Sequence, residues 1–396
     1  MDAPAPRGSA SLGAAMGRAL QISSMGAVRP PAEAAIAAAS AREADGFDAV
    51  WWADHLLHWF PLGIWTPDLV PQAASSPNPH TWMDPVPIIA AAAARTSSIT
   101  LGIGVTDLVR RNPASLAQTA LTLDHVTGGR FVLGVGTGED LNLEPYGMSN
   151  PTPMQRLEEG LEVMRLLMND AGPVDYEGRV FRLDGAFMGV RPAGDAPPPV
   201  WVAAHRPRGL SVAGRLGDGW LPLATDADAY AAMLAQVREA QRQAGRPRNA
   251  VTAGAYCRVV VADTADEARD VVLSSLLMRF IALTRSSEAF EAAGAEHPLG
   301  RGAFGLTSFM PTRVGRDDAL ALAAAVPDAV LLGTVIHGTP DDIADEVLSI
   351  HSAGAEHVQL TNMTPLADPS RAAASEALLR DAVASIRRRA GAKAAA

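Results

Sequence analysis

Two polar pairs that follow apolar runs contain the residues best suited to acid–base chemistry. Asp54 and His55 come directly after the run AVWWA, and Glu139 and Asn142 follow the run FVLGV after a short glycine-rich stretch. An imidazole titrates near neutral pH and can give a proton to a developing alkoxide. His55 is therefore a candidate general acid or base, with Glu139 and Asn142 supplying a carboxylate and an amide beside a ligand. The alternative at His55 is a structural histidine bound to a loop carbonyl.

The glycine-rich stretch GVGTGE predicts a place where the backbone comes close to a ligand. Gly136, Thr137 and Gly138 lie between the apolar run and Glu139, and glycine permits such an approach. A dinucleotide-binding G-x-G-x-x-G loop would need its third glycine where Glu139 stands, so that interpretation fails. A simple tight turn is the alternative.

Composition argues against several classes of partner. The formal net charge of -10 and the absence of a Lys/Arg block argue against nucleic acid and anionic membrane surfaces. His55 and His58 are three residues apart without a third ligand nearby, so no metal site is predicted. The single cysteine, Cys257, excludes an internal disulfide and fits a reducing cytoplasm. No apolar run reaches the roughly 18 residues of a membrane span, and residues 1–16 are expected to form a disordered tail.

Eight apolar runs with helical patterns between them predict the architecture. This repeated alternation is typical of an α/β fold of the closed (β/α)8 TIM barrel type rather than an open sheet. We expect one domain over residues 17–396. The candidate strands lie near Ala19, Ala49, Ile99, Arg130, Val200, Gly219, Thr252 and His357. Because a TIM barrel carries its site at the carboxyl ends of its strands, the polar residues that follow these runs should meet there.

Two long irregular segments are predicted to be insertions that form lids, one after the second strand and one before the last barrel unit. Residues 56–87 are rich in proline and contain Trp59, Trp65 and Trp82, whereas residues 284–326 have an irregular or partly helical pattern. Loops of such length are usually functional. We expect the tryptophans to line an apolar substrate pocket, with capping of the barrel core as the alternative.

Six motifs resemble the luciferase-like flavin and deazaflavin oxidoreductases, a superfamily of (β/α)8 barrels. The resemblance spans most of the barrel and is nearest to the branch that depends on coenzyme F420, in particular its phthiodiolone ketoreductase-like subgroup. The motifs are ADH at 53–55, LGIGVTDLVRRNP at 101–113, RFVLGVGTGEDLNLEPYG at 130–147, VWVAAHRPR at 200–208, GRLGDGW at 214–220 and EHPLG at 296–300.

The resemblance implies that coenzyme F420 lies across the strand ends, with FMN as the alternative cofactor. Asp54 would approach the polar edge of the deazaflavin ring, and a non-prolyl cis peptide between Gly104 and Val105 would lie behind it. Relatives often have glycine at the last two positions of the segment that binds the phosphate tail, where this chain has histidine and arginine. The ring and its side chain would be lined by Thr106, Gly136, Thr137, Gly138 and Asn142, and the tail by Ala203, Ala204, His205 and Arg206.

By the same resemblance, the reaction is hydride transfer between reduced deazaflavin and a ketone or alcohol. His55 would protonate the substrate oxygen, Glu139 would give or take the proton of the cofactor ring, and Trp59 would pack over the substrate.

Relatives that bind sugar phosphates use lysine to hold the phosphate, and the only lysine of this chain is in its C-terminal tail. A sizeable apolar or polyketide-like ketone is therefore expected, although an arginine such as Arg285 or Arg313 could replace the lysine. The resemblance also implies a homodimer, the oligomeric state that is common in this family. A flavin-dependent monooxygenase and a non-catalytic flavin-binding barrel are the alternatives.

Overall fold

A closed barrel of parallel strands forms the centre of the computed structural model, which describes residues 19–303, 305 and 309–394. The predicted disordered tail at residues 1–16 lies outside the described residues. In chain order the strands are β1 (Gln21–Met25), β2 (Ala49–Trp52), β3 (Thr100–Asp107), β4 (Phe131–Gly136), β5 (Val174–Glu177), β6 (Arg182–Ala186), β7 (Val200–Val202), β8 (Gly219–Trp220), β9 (Thr252–Val261), β10 (Ile336–Gly338) and β11 (His357–Asn362).

Backbone pairing closes the barrel between β8 and β9. Each barrel strand runs parallel to its neighbours in the order β9, β11, β1, β2, β3, β4, β7, β8 and back to β9. The predicted (β/α)8 barrel is therefore confirmed, with a strand at each of the eight candidate positions. The carboxyl ends of all eight strands lie on one face, which is where a TIM barrel carries its site.

Three short strands are not predicted from the sequence. The strands β5 and β6 form an antiparallel hairpin, and β10 pairs with β9 outside the barrel. No residue of the hairpin is fully buried, so it has no strongly apolar face that a sequence pattern would reveal. The strand β10 has 3 residues, too few for a period to be recognised.

Helices cover the outer surface of the barrel. The apolar spacing of residues 153–169 predicts a helix, and α4 (Pro153–Asn169) has those bounds. The helix that the pattern from Thr264 to Leu277 predicts is divided at Ser275. The Ser275 hydroxyl accepts the N–H of Met278 at 3.4 Å and so begins a new helix. The α-helices of the described residues are α1 (Ala32–Ala44), α2 (Pro85–Ala93), α3 (Pro113–Thr127), α4 (Pro153–Asn169), α5 (Pro207–Leu216), α6 (Ala227–Gln243), α7 (Ala265–Ser274), α8 (Leu276–Ala282), α9 (Ser287–Ala292), α10 (Arg316–Ala324), α11 (Asp328–Leu332), α12 (Pro340–Ser352), α13 (Thr364–Ala367) and α14 (Ala372–Ala394).

Large side chains fill the interior of the barrel. Trp51, Val132, Trp201 and Leu221 form a buried cluster against which Tyr256 packs. The rings of Trp51 and Trp201 lie 5.2 Å apart. A second and larger core lies between the strands and the surrounding helices. The barrel is thus a packed support for residues at the strand ends rather than a pore.

The two predicted insertions pack against each other. Phe60 and Trp65, from residues 56–87, share a hydrophobic cluster with Phe290 and Phe309, from residues 284–326. The second segment is partly helical, as expected, because it contains α9 and α10. Their action as lids stays a prediction.

Glu43, near the end of α1, holds the loop that leads into β3. Its carboxylate accepts the backbone N–H groups of Ser97, Ser98 and Ile99 at 2.9, 2.6 and 2.9 Å. Burial acts to raise the pKa of Glu43, but these hydrogen bonds outweigh burial and lower the pKa to about 2. A carboxylate bound in this way is more stable in the folded protein than in the unfolded chain.

We predict that Glu43→Gln lowers the free energy of unfolding by about 2 kcal/mol at pH 7. Because the folded pKa is depressed, the stabilisation is complete above the ordinary pKa and is lost as the pH falls toward 2. The difference between wild type and variant in urea titrations should therefore narrow below about pH 4.5. Glu33→Gln, on the same helix but in an exposed ion pair with Arg95, is the control and should leave unfolding nearly unchanged. Equal effects of the two substitutions would contradict this explanation.

Candidate active site

The structure brings together the polar residues that end neighbouring strands. Asp54 and His55 follow β2, and Glu139 and Asn142 follow β4. Thr106 is the next-to-last residue of β3. Pairing of β2 with β3 and of β3 with β4 places these three strand ends side by side. The expected meeting of polar residues at the carboxyl end of the barrel is confirmed for this group.

The Asn142 side chain makes four hydrogen bonds, three of which connect the loop after β4 to the loop after β2. Its side-chain oxygen accepts the backbone N–H groups of Leu56 at 2.7 Å and Leu57 at 2.9 Å. Its amide nitrogen lies 2.9 Å from Nδ1 of His55 and donates to Oε2 of Glu139 at 3.1 Å. Asn142 is 2% exposed, and both its donors and its acceptor are used.

This amide also fixes the tautomer of His55. Because the oxygen of Asn142 accepts two backbone N–H groups, its NH₂ group must face the imidazole. The Nδ1 atom of His55 is then a hydrogen-bond acceptor, and the ring proton is on Nε2. Within the described residues Nε2 has no hydrogen-bond partner. His55 therefore offers an N–H donor that a ligand can use.

Burial keeps both members of the acid–base pair uncharged at neutral pH. Burial, helped by the charge of Arg110, lowers the pKa of His55 to about 4. Burial also raises the pKa of Glu139 to about 8, although Arg110 opposes this rise. The two side chains are 14% and 23% exposed, and Nδ1 of His55 lies 3.4 Å from Oε2 of Glu139. At pH 7 the pair therefore consists of a neutral imidazole and a protonated carboxyl group.

Asp54 is part of a buried network of ion pairs. Its carboxylate accepts hydrogen bonds from Thr106 at 2.6 Å, Arg110 at 3.1 Å and Arg111 at 2.8 Å. Arg110 also donates from Nε to Asp107 at 2.5 Å. Our sequence reasoning missed both arginines, although two consecutive cations directly after a strand end are a signal. The expected role of Asp54 at the polar edge of the cofactor stays a prediction.

Aromatic residues from the first insertion cover His55. The Trp59 ring lies edge-on to the imidazole at 5.4 Å, and the Trp82 ring is tilted at 4.8 Å. His58 stacks on Phe60 at 3.9 Å. The indole N–H groups of Trp59 and Trp82 are buried without a hydrogen-bond partner among the described residues. The insertion thus provides an apolar wall with two unused donors.

Small residues line the neighbouring ends of β3, β4 and β7. The peptide bond between Gly104 and Val105 is cis, as predicted. A Cβ atom added to Gly136 would lie 3.3 Å from Cγ2 of Val105 and 4.0 Å from Cβ of Ala203. Gly138 has φ +84°, a conformation that favours glycine. Glycine at these positions lets the strand ends pack closely, because a side chain there would crowd Val105 or Asp107.

The residues predicted to hold a phosphate tail follow β7. His205 and Arg206 are exposed, whereas Ala204 is buried. Nε2 of His205 accepts the backbone N–H of Leu223 at 2.7 Å, and Arg206 forms an ion pair with Glu288 at 3.0 Å. The guanidinium of Arg206 is therefore partly engaged, and tail binding by this segment stays a prediction.

Neither a metal cluster nor a membrane span occurs in the described part of the chain. No group of three or more His, Cys, Asp or Glu side chains there is placed to hold a metal ion. None of the helices there is both long and apolar enough to cross a membrane. A separate cavity, lined in part by Gln21, Asp48 and His357, lies at the opposite end of the strands and is remote from His55.

We predict that His55 in the ligand-free protein is a neutral Nε2–H tautomer throughout pH 5–8. Replacement of Asn142 by alanine should release Nδ1, raise the pKa of His55 and populate both tautomers, because the lost N–H donor stabilises the neutral ring. Nitrogen-15 chemical shifts of the imidazole measure both properties. Asn150→Ala, in the same loop but bound to the Thr137 carbonyl, should have no effect on them. Titration of wild-type His55 near its ordinary pKa would contradict this assignment.

Comparisons with known proteins identify the family of this chain. The model of the luciferase-like monooxygenase family matches residues 13–357. A phthiodiolone/phenolphthiodiolone dimycocerosates ketoreductase of Mycobacterium tuberculosis is 34% identical over 349 residues, which cover 86% of this chain and 89% of that protein. The 5,10-methylenetetrahydromethanopterin reductase of Archaeoglobus fulgidus is 28% identical over 266 residues, covering 67% of this chain and 77% of that protein.

Solved structures show that the fold is shared more widely. An F420-dependent secondary alcohol dehydrogenase in complex with an F420–acetone adduct has a TM-score of 0.70 at 21% identity, covering 93% of this chain and 99% of that one. The EDTA monooxygenase of Chelativorans sp. BNC1 has a TM-score of 0.67 at 18% identity, covering 95% and 94%. The length of the family match, together with the ketoreductase similarity, establishes that this chain belongs to the luciferase-like monooxygenase family.

Proposed function

We propose that this protein is an F420-dependent oxidoreductase that transfers a hydride between reduced deazaflavin and the carbonyl carbon of a ketone. The observation that carries the proposal is the neutral His55 beside the protonated Glu139, next to strand ends lined by small residues. The similarity to a ketoreductase and to an F420-dependent alcohol dehydrogenase supports the same reaction class.

The residues present fit a planar deazaflavin. Val105, Gly136 and Ala203 would contact the ring, and a side chain at position 136 would enter its space. Asn142 and Thr106 would lie beside it. When bound, the cofactor supplies the hydride, and the protein must position the carbonyl carbon and supply a proton to the oxygen.

The two site residues have separate roles in this proposal. The N–H group at Nε2 of His55 donates a hydrogen bond to the carbonyl oxygen and passes its proton to that oxygen as the alkoxide forms. Glu139, whose Oε2 lies 3.4 Å from Nδ1, gives its proton to Nδ1 as Nε2 loses one. Nε2 then takes a proton from solvent and Nδ1 returns its proton to Glu139, which restores the Nε2–H tautomer that Asn142 favours. This gives Glu139 a role at the histidine, in place of the expected role at the cofactor ring.

The aromatic wall suggests the kind of substrate. Trp59 and Trp82 contact His55 with apolar ring surfaces, and their buried N–H groups have no protein partner in the described part of the chain. These rings exclude water from the proton-transfer path and provide area for an apolar body next to the carbonyl group. We infer a ketone of considerable size, including polyketide-like compounds.

The cofactor assignment predicts that wild-type protein binds F420 with a dissociation constant in the micromolar range or below, measured by deazaflavin fluorescence. Gly136→Val should weaken this binding at least about tenfold, because the new side chain would meet Val105 and Ala203. Gly172→Val is the control, because a Cβ at that position contacts nothing within 4 Å. Preferential binding of FMN, or binding of neither compound, would contradict the proposed cofactor.

The proton assignment predicts a loss of ketone reduction above about pH 8, where Glu139 gives up its proton. Glu139→Gln should lower kcat roughly 100-fold and remove this loss of activity at high pH, because a carboxamide is not acidic enough to donate a proton. The measurement is steady-state oxidation of reduced F420 by a ketone. Glu144→Gln changes an exposed carboxylate of the same loop, paired with Arg313, and should leave the profile intact. An unchanged pH limb in the Glu139→Gln variant would exclude Glu139 as the proton source.

A further inference from the structure

Arg258 lies on the inner face of the barrel, one layer closer to the site than the packed aromatic cluster. Along β9, Ala255, Cys257 and Val259 pack into the core between strands and helices. Because side chains alternate along a strand, Tyr256 and Arg258 lie on the opposite, inner face. The guanidinium of Arg258 is 5.7 Å from the centre of the Tyr256 ring, and the residue is 7% exposed.

This buried cation has no carboxylate partner in the described part of the chain. Among the described residues no carboxylate lies within 4 Å of Arg258, and its one hydrogen bond is to Oγ1 of Thr284 at 3.4 Å. The Thr284 hydroxyl already donates to the carbonyl of Ile281 at 2.6 Å. An arginine presents five N–H donors, and burying its charge unpaired is unfavourable. Arg258 therefore retains most of its capacity to bind an anion.

A second unpartnered group lies next to it. Thr361 on β11 is the register partner of Arg258 on β9, so the two side chains are neighbours on the same face. The Oγ1 atom of Thr361 is buried and has no hydrogen-bond partner in the part of the chain that the structure describes. A hydroxyl and a guanidinium with free donors together match the two oxygens of a carboxylate.

Arg285 adds a second positive charge. It follows Thr284, whose hydroxyl lies 3.4 Å from a guanidinium nitrogen of Arg258. Burial lowers the pKa of Arg285, and the charge of Arg258 contributes to this decrease. No side-chain hydrogen bond or ion pair of Arg285 occurs among the described residues. Arg206 and Arg313, by contrast, are paired with Glu288 and Glu144.

The cationic group lies at the same, carboxyl end of the barrel as the acid–base pair. Arg258 lies three residues before the end of β9, and His55 and Glu139 follow β2 and β4. The charge of Arg258 also opposes the rise that burial causes in the pKa of Glu139. An anion bound at Arg258 would thus lie at the end of the barrel where a carbonyl group must meet His55.

We propose that Arg258, with Thr361 and Arg285, binds a carboxylate of the substrate, which makes the preferred substrate an oxo acid with an apolar body. This inference rests on the proposed reductase function for the carbonyl part and deepens it. The anion could also come from the phosphate tail of the cofactor. We assign it to the substrate because Arg258 and Thr361 are neighbours on the inner face of the barrel, whereas Arg206, in the segment expected to bind the tail, is exposed and paired with Glu288.

The test of the subsite is ligand binding, measured by calorimetry with 4-phenylbutyrate and its uncharged analogue 4-phenylbutanol. Wild-type protein should bind the carboxylate at least tenfold more tightly than the alcohol. Arg258→Met should abolish this preference, and Arg258→Lys should retain part of it. Arg313→Met removes an exposed arginine of the insertion and should keep the full preference. Equal binding of the two probes by wild type, or a preference that survives in Arg258→Met with an unchanged circular dichroism spectrum, overturns the proposal.

A second measurement separates the two sources of the anion. Binding of F420 and of its chromophore without the phosphate tail should change less than twofold in Arg258→Met. Weaker binding of F420 alone would assign the anion to the cofactor tail and overturn the substrate assignment. If Arg258→Met lowers kcat equally for an oxo acid and for its methyl ester, Arg258 acts on the reacting oxygen rather than on a carboxylate. That result would also overturn the substrate assignment. Carboxylate binding without F420 binding would reject the proposed cofactor while leaving the subsite intact.

Discussion

The hydrogen bonds of Asn142 are the constraint on which the acid–base site depends. The amide ties the loop after β4 to the loop after β2, and its oxygen is already committed to the backbone of Leu56 and Leu57. Its nitrogen must therefore face both His55 and Glu139. A reversed amide would lose two backbone hydrogen bonds, so the amide orientation, the imidazole tautomer and the placement of the carboxyl group are determined together.

The surroundings of this amide decide which groups carry charge. Asp54 is buried but receives hydrogen bonds from two arginines and a threonine, which favours an ionised carboxylate. Glu139 receives only the Asn142 amide, so burial outweighs the more distant charge of Arg110. Its shift from 4.5 to about 8 corresponds to roughly 5 kcal/mol in favour of the protonated form. Two carboxyl groups on strand ends that are separated only by β3 thus favour opposite states, Asp54 the ionised form and Glu139 the protonated form.

The same reasoning distinguishes the arginines. Arg110 and Arg111 neutralise acidic side chains and hold neighbouring strand ends together. Arg258 is equally well buried but has a single long hydrogen bond. A cation without a carboxylate partner among the described residues, on the inner face of the barrel, would make the proposed binding site amphiphilic. Such a cavity suits a ligand with an apolar body and an anionic end better than a purely apolar one.

The sequence by itself determined the alternation of eight strands with helices, the polar residues at the strand ends and, through its motifs, the family. These features depend on local periodicity or on short runs of residues, so they can be recognised without coordinates. Tertiary structure alone decided that Asn142 contacts a histidine 87 positions away and that Thr361 adjoins Arg258. It also decided that burial raises the pKa of Glu139 and that Arg258 has no ion-pair partner among the described residues, because desolvation and ion pairing depend on residues brought together from distant parts of the chain.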